Sequence, residues 1–251
     1  MNLSVVLTFL FAILSEMFFP VILILIARKK FKTSLNVFMF GALMFILAEA
    51  LRIPLLLLLT FLSKRVEFFE GFSRLQILLL NSTILALTAG IFEEGARYFG
   101  YKKFIKERNF SNGVSFGIGH SGVESVIVGI LVSLSLINYI YLSTVPLESL
   151  PIPEEKFSDV EKLLNVKWYE PLIGALERIF AISFHLGMSV LVLQCFLKNK
   201  KIYLFIAIFF HFLLDFPIGI LPNYMSIYYL EVWAFLGALF GLFLVFRYRD
   251  L

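Results

Sequence analysis

Two adjacent carboxylates and an arginine stand near the end of a long apolar run in the sequence. Glu93, Glu94 and Arg97 follow the segment from Leu75 to Ile91, which is long enough to lie in or beside a bilayer. Ionised side chains are poorly solvated in hydrocarbon, so they are rare in membrane segments. Where they do occur, they usually indicate a functional site. These three residues are therefore the first candidates for a chemical site within a membrane.

All three histidines of the chain, His120, His185 and His211, also fall inside apolar runs. At a helical rise of about 1.5 Å per residue, Glu94 and His120 lie about 12 Å, and His211 about 14 Å, from the basic or polar end of their segments. By the same rise, His185 and Asp215 lie about 20 Å from those ends. Because the segments alternate in direction, groups at similar depths are expected to meet. We predict a single site in the cytoplasmic half of the membrane.

Three pairs of polar residues are spaced four positions apart, which places each pair on one face of a helix. The pairs are Glu93 with Arg97, His120 with Glu124, and His211 with Asp215. In each histidine pair we expect the carboxylate to accept the Nδ1–H and so to orient the other ring nitrogen. Glu94 lies about 100° around the helix from Glu93, which lets it face the bundle interior while the ion pair holds the helix.

The carboxylates favour hydrolysis of an amide bond by activated water. Glu94 or Glu93 would act as the general base on a water. Glu94 is our first choice, with Glu93 and Arg97 shaping its surroundings. Glu124 and His185 are expected to support the site. Each assignment competes with a structural interpretation, since ion pairs near the interface and histidines bonded to a neighbouring helix are ordinary in membrane proteins.

The remaining residues are expected to complete this site. His120 and His211 would hold the water, stabilise the oxyanion or bind a metal, and Asp215 would assist them. If zinc is bound, the predicted ligands are Glu94, His120 and His211, because two histidines and a carboxylate suit this metal. The chain has no HExxH motif, so no cofactor is certain and zinc is one option.

Two further charged pairs lie in apolar runs and are interpreted as structural. They are Glu49 with Arg52 and Glu177 with Arg178. Arg178 lies two turns from His185 on the same helix face, so a supporting role for it stays open. A glycine-rich stretch, residues 116–122, is expected to allow close approach of helices or of a substrate backbone.

The composition, 60% hydrophobic with 30 phenylalanines, excludes a soluble globule and indicates an all-α polytopic transmembrane bundle. Backbone groups find no partners in lipid, so apolar runs of about 20 residues without strand-like alternation are predicted to be helices. We predict about seven spans in a single integral-membrane domain, residues 1–251. The spans are expected at about 3–27, 35–62, 75–101, 112–138, 170–197, 202–221 and 226–246.

The basic residues predict an orientation with the N-terminus outside and the C-terminus inside. In this arrangement thirteen Lys and Arg lie on the inner side and six in the outer loops, as the positive-inside rule requires. The excess of basic residues on the inner side accounts for the net charge of +4, so nucleic acid is not a predicted partner. No basic segment precedes the first span, which we expect to be an uncleaved anchor.

The loop at residues 139–170 is predicted to lie outside and to be acidic. We interpret it as a lid, as a surface for a partner, or as an ordinary solvated loop, with a short surface helix at about 154–165. Its acidic residues are Glu148, Glu154, Glu155, Asp159, Glu161 and Glu170.

Three ordered motifs carry a family resemblance. They are Glu93-Glu94-x-x-Arg97, Phe116-x-x-x-His120 and His211-x-x-x-Asp215. The set resembles the superfamily of type II CAAX prenyl endopeptidases, bacteriocin-processing homologues and PrsW-type proteases. Within it, the chain looks most like the YhfC family of intramembrane proteases. The features behind that closer match are Gly117-x-Gly119-His120-x-Gly122-x-Glu124, Glu177-Arg178 and Phe184-His185.

The resemblance covers roughly residues 35–220 and implies a glutamate-dependent intramembrane endopeptidase. It implies that Glu93 and Glu94 activate water, that His120 is the second-motif histidine, and that His211 and Asp215 activate water or stabilise the oxyanion. Relatives are described both as metalloproteases and as metal-independent glutamic proteases, and both stay open. The arginine stands one residue closer to the glutamates than in the prenyl endopeptidases, so CAAX processing is not predicted.

The implied partners are the lipid bilayer, in a prokaryotic plasma membrane, and a membrane-protein or peptide substrate. Two other functions compete with proteolysis. One is a non-catalytic membrane scaffold, because the superfamily resemblance extends to the multi-pass scaffold subunit of gamma-secretase. The other is a proton-coupled transporter, which would use the same acids and histidines as a relay, although the sequence shows neither inverted repeats nor paired broken helices.

Overall fold

The structure, a computed structural model, describes residues 1–66, 68–146, 149, 153 and 156–249, except for the side chain of Asp159. Within these residues the regular structure is helical, and seven helices are long and apolar enough to cross a membrane. The helices are α1 (Leu3–Phe31), α2 (Leu35–Arg65), α3 (Arg74–Lys103), α4 (Phe110–Leu142), α5 (Phe157–Leu164), α6 (Glu170–Leu197), α7 (Ile202–Ile220) and α8 (Ile227–Arg247). The predicted seven-span bundle is confirmed, and the predicted short helix of the long loop is α5.

Side-chain caps fix the starts of the two helices that carry most of the candidate residues. Ser73 and Gln76 form a reciprocal capping box at the start of α3. Asn109 accepts the backbone N–H of Asn112 at 2.9 Å at the start of α4. Both caps satisfy N–H groups that have no partner within the helix, and so they define where each helix begins.

The central helix of the bundle is α6. Most of its apolar stretch is buried, whereas each of the other spans buries less than a quarter of its own. It packs against α1, α3, α4, α7 and α8. Large apolar side chains of the surrounding helices are exposed, such as Leu57, Phe205 and Phe246. Such a surface suits lipid, which agrees with an integral membrane protein.

Close backbone approaches bring the helices of the candidate site together. A Cβ added at Gly119 of α4 would lie 1.9 Å from the carbonyl oxygen of Phe38 in α2. A Cβ added at Gly90 of α3 would lie 2.9 Å from the carbonyl oxygen of Ile208 in α7. Small residues at crossings of this kind are typical of membrane helix pairs. The expectation that the glycine-rich stretch allows close helix approach is confirmed.

The acidic loop begins later than predicted, because α4 continues to Leu142 and residues 139–142 are helical. Tyr139 accounts for the extra turn: its ring lies 6.2 Å from that of Phe9, and its hydroxyl accepts the backbone N–H of Asn2 at 3.0 Å. The acidic residues Glu148, Glu154 and Glu155 lie outside the described residues, as does the side chain of Asp159.

Candidate active site

Four helices bring the predicted site residues into one cluster. The contributions are Glu93, Glu94 and Arg97 from α3, His120 and Glu124 from α4, His185 from α6, and His211 and Asp215 from α7. The side chains of Glu124 and Asp215 keep 19% and 33% of their area exposed, whereas the other six residues are buried. The cluster is therefore most accessible on the side of these two carboxylates.

Glu93 lies among the three histidines. Its Oε2 is 3.1 Å from Nε2 of His120 and 3.9 Å from Nδ1 of His185, and its Oε1 is 3.6 Å from Nε2 of His211. The predicted pairing with Arg97 is present at 3.5 Å. Because the histidines come from three different helices, this one carboxylate links α3 to α4, α6 and α7.

Glu94 is completely buried and is held through one of its two oxygens. Its Oε1 accepts a hydrogen bond from the guanidinium of Arg97 and lies 2.7 Å from Nδ1 of His211. Its Oε2 has no hydrogen-bond partner among the described residues. Buried carboxylate oxygens are ordinarily paired, so Oε2 is an acceptor with capacity for a further proton donor.

Arg97 connects the glutamates to His185. Its Nη2 lies 2.8 Å from Nδ1 of His185. A guanidinium can only donate, so Nδ1 is the acceptor and the ring proton of a neutral His185 resides on Nε2. That nitrogen lies 3.0 Å from Oε2 of Glu124. The hydrogen bond from Arg97 therefore assigns the tautomer, and the carboxylate of Glu124 lies on the Nε2 side of the ring.

Two predicted histidine–carboxylate pairings are wrong in detail. His120 does not pair with Glu124, because its Nε2 faces a glutamate of α3 and its Nδ1 has no partner among the described residues. His211 does approach Asp215, but through Nε2 at 3.5 Å, while its Nδ1 faces Glu94. A spacing of four residues only brings two side chains onto one helix face. Here the carboxylates of a neighbouring helix determine the ring orientation.

A second arginine holds Glu124. Arg178 donates to Oε1 of Glu124 at 3.1 Å and to Glu177 at 3.0 Å. The pair that the sequence predicted as structural is thus present, and it has an additional contact with the site. Through Glu124, Arg178 is linked to His185.

Two contacts beside the cluster were not predicted, although Phe184 belongs to the Phe184-His185 feature of the sequence. Phe184 packs edge-on against His211, with ring centroids 5.8 Å apart, and forms an apolar wall. The hydroxyl of Tyr101 lies 2.6 Å from Oγ of Ser189 and so joins α3 to α6. For Ser189 the available signal was its position a single turn after His185 on the central helix.

Three of the buried residues form a group able to hold a metal ion. Glu93, His185 and His211 each offer one donor atom, and the three atoms lie within 4.8 Å of one another. Two histidines and a glutamate are the donor set of catalytic zinc sites, so the residues present fit zinc. This group shares only His211 with the predicted ligand set, which also contained Glu94 and His120.

Two cavities among the described residues lie outside the cluster itself. A cavity of about 640 Å³ lies between α2 and α3, against Leu62 and Phe68, and contains none of the predicted site residues. A groove of about 440 Å³ lies between α1 and α6 and reaches Ser125 and Arg178. Since Arg178 contacts Glu124, this second groove borders the cluster.

Comparisons with known proteins give two matches. A family model described as YhfC intramembrane metalloprotease matches residues 15–236, which include every predicted site residue. A relative from Bacillus subtilis (strain 168), described as "Uncharacterized membrane protein YhfC", is 31% identical over 205 residues, covering 79% of this chain and 78% of the relative. No solved structure matches the chain.

Proposed function

The chain belongs to the YhfC family of intramembrane metalloproteases, and from this premise we propose that it is an endopeptidase that hydrolyses a peptide bond in or near the membrane. The observation that carries the proposal is the buried group of Glu93, His185 and His211 inside a seven-helix bundle. Burying such polar groups within a membrane protein costs free energy, and residues of this kind usually belong to a functional site.

Glu94 is the general base in the proposed reaction. Its Oε1 is held by Arg97 and His211, which orients the carboxylate, while Oε2 has capacity to accept a proton from water. Loss of that proton lets the water oxygen bond to the peptide carbonyl carbon. The carboxyl group then gives the proton to the leaving nitrogen as the C–N bond breaks. A positioned base of this kind contributes about 10²- to 10⁴-fold in rate.

Glu93, His185 and His211 are the proposed zinc ligands. When bound, zinc would polarise the carbonyl oxygen or activate water. His120 supports the site through its contact with Glu93, and Asp215 through its contact with His211. A metal-independent glutamic mechanism would use the same base, and treatment with a chelator separates the two mechanisms.

We place the site in the cytoplasmic half of the membrane, with the N-terminus outside. Glu94 is nine residues from the basic end of α3 at Lys103 and twenty from its start at Arg74, and basic residues favour the inner side. The groove between α1 and α6 provides a lateral approach for a membrane-embedded peptide. Its wall includes Arg178, which contacts Glu124 beside the catalytic group.

The test compares new protein N-termini in membranes that contain equal amounts of wild type or of Glu94→Gln. We expect some N-termini to appear with wild type only. Glu49→Gln is the matched control, because Glu49 also pairs with an arginine of its own span, Arg52 at 3.0 Å, and its hydrogen bonds among the described residues involve no histidine. Equal sets of N-termini from wild type and Glu94→Gln, with both proteins folded, would overturn the proposal and favour a membrane scaffold.

A further inference from the structure

Arg97 lies against the group that is able to hold a metal. The residue is completely buried, and its guanidinium donates to Glu94. It also lies 2.8 Å from Nδ1 of His185 and 3.5 Å from Oε2 of Glu93. Two of these three partners, His185 and Glu93, are the proposed ligands from α6 and α3.

The contact with His185 uses the electron pair that a metal would need. Nδ1 is the nitrogen of His185 that lies 3.9 Å from Glu93. An imidazole nitrogen without a proton has one lone pair in the ring plane, so it accepts a hydrogen bond or binds a metal but does not do both. The other nitrogen, Nε2, is 3.0 Å from Glu124, so the ring cannot turn without losing that contact.

Electrostatic repulsion also disfavours binding of a metal ion while the guanidinium of Arg97 is in contact with Glu93 and His185. The guanidinium already neutralises carboxylate charge at Glu93 and Glu94. A dication on Glu93 and His185 would lie close to this fixed positive charge, in a buried setting where repulsion is weakly screened.

We propose that the Arg97 guanidinium and the zinc ion are alternative occupants of His185 Nδ1. Zinc then binds only when Arg97 releases His185, and Arg97 keeps its contact with Glu94. The inference rests on the proposed metalloprotease function. It assigns to Arg97 the control of zinc affinity, a role distinct from that of orienting the base.

The test measures zinc affinity of the purified full-length protein by competition with a chromophoric chelator, with zinc as the only added ligand. Arg97→Lys keeps the charge but lacks the planar fork that reaches His185, and Arg97→Met lacks both. We expect both variants to bind zinc about tenfold more tightly than wild type, because one charge-assisted hydrogen bond no longer competes for the nitrogen. Arg52→Met is the matched control, because Arg52 also pairs with a glutamate three residues before it, and it should bind zinc like wild type.

A double variant separates lone-pair competition from general electrostatics. His185→Ala removes the contested nitrogen and also weakens zinc binding, so the double variant is compared with His185→Ala alone, at zinc concentrations high enough to load both proteins. In this background Arg97→Lys should not raise the remaining zinc affinity. If Arg97→Met fails to fold because Glu94 loses its buried partner, Arg97→Lys and the double variant decide the question. Wild-type affinity in Arg97→Lys would overturn the inference, and so would an equal gain with and without His185.

The assay reads binding and not turnover. A wild-type protein that binds zinc but cleaves nothing would contradict the proposed endopeptidase and leave the competition testable. A complete lack of zinc binding by wild type and by both Arg97 variants would overturn the inference whatever the result of the cleavage experiment.

Discussion

His211 and Glu94 are separated by 117 residues in the chain, yet Nδ1 of the histidine lies 2.7 Å from Oε1 of the glutamate. The approach of α7 to α3 at Gly90, one turn before Glu94, makes this contact possible. The opposite nitrogen of the same ring is 3.6 Å from Glu93. His211 therefore stands between the proposed base and a proposed ligand, and changes to it are expected to affect both.

Zinc content distinguishes the ligand group of the structure from the one predicted by sequence. We expect His185→Ala to lose zinc, because His185 belongs to the group whose donor atoms converge. The loss of affinity should exceed the roughly 10- to 100-fold that is typical of a supporting partner. Mass spectrometry of the metal in purified protein, at matched helical content, provides the measurement.

The control for this prediction is His120→Ala, which removes a buried histidine from the same cluster and should keep zinc. The opposite pattern, with zinc lost from His120→Ala and kept in His185→Ala, would contradict the proposed group. It would instead favour coordination by Glu94, His120 and His211.

The α2–α4 crossing should be intolerant of any side chain at Gly119. A methyl group there would meet the backbone oxygen of Phe38 at 1.9 Å, and backbone cannot move aside as a flexible side chain can. We expect Gly119→Ala to lower the free energy of unfolding by at least about 1–3 kcal/mol. The midpoint of thermal unfolding in detergent measures this.

A second glycine provides the comparison for that substitution. Among the described residues, an added Cβ at Gly174 of α6 meets no atom of another element within 4 Å. Gly174→Ala should therefore be neutral or stabilise by up to about 1 kcal/mol through helix propensity. Equal midpoints for the two alanine variants would contradict the close crossing.

The spans and the membership of the cluster were predictable because their signals are local. The run from Leu75 to Ile91 is long and apolar, and ionisable residues such as Glu94 and His211 are conspicuous inside such runs. The partner of each ring nitrogen was not predictable. His120 faces Glu93 of α3 and not Glu124 of its own helix, because packing between helices determines which carboxylate is nearest.

Arg178 should act as a positioning residue. Its contact with Glu124 at 3.1 Å holds the carboxylate that lies beside His185. We expect Arg178→Met to lower the cleavage rate roughly 10- to 100-fold, the usual cost of losing a supporting contact of this kind. Arg178→Lys should restore part of the rate, since an ammonium still donates to Glu124.

The reference for this experiment is Arg52→Met, which removes an arginine of another span that is paired with Glu49. Cleavage rates and thermal midpoints are measured for all three variants in the same membranes. A wild-type rate in Arg178→Met, or a fall matched by Arg52→Met, would show that the contact with Glu124 does not serve the reaction.

The most direct test of proteolysis by activated water follows oxygen-18 from labelled water into new protein C-termini. Membranes containing wild type or Glu94→Gln are incubated in labelled water and then digested in ordinary water. We predict that wild type produces new C-terminal carboxyl groups carrying the label and that Glu94→Gln reduces their rate of formation by about 10²-fold or more. Labelled termini formed equally by both proteins, or by neither when both are folded and abundant, would contradict the assignment of Glu94 as the base of a membrane endopeptidase.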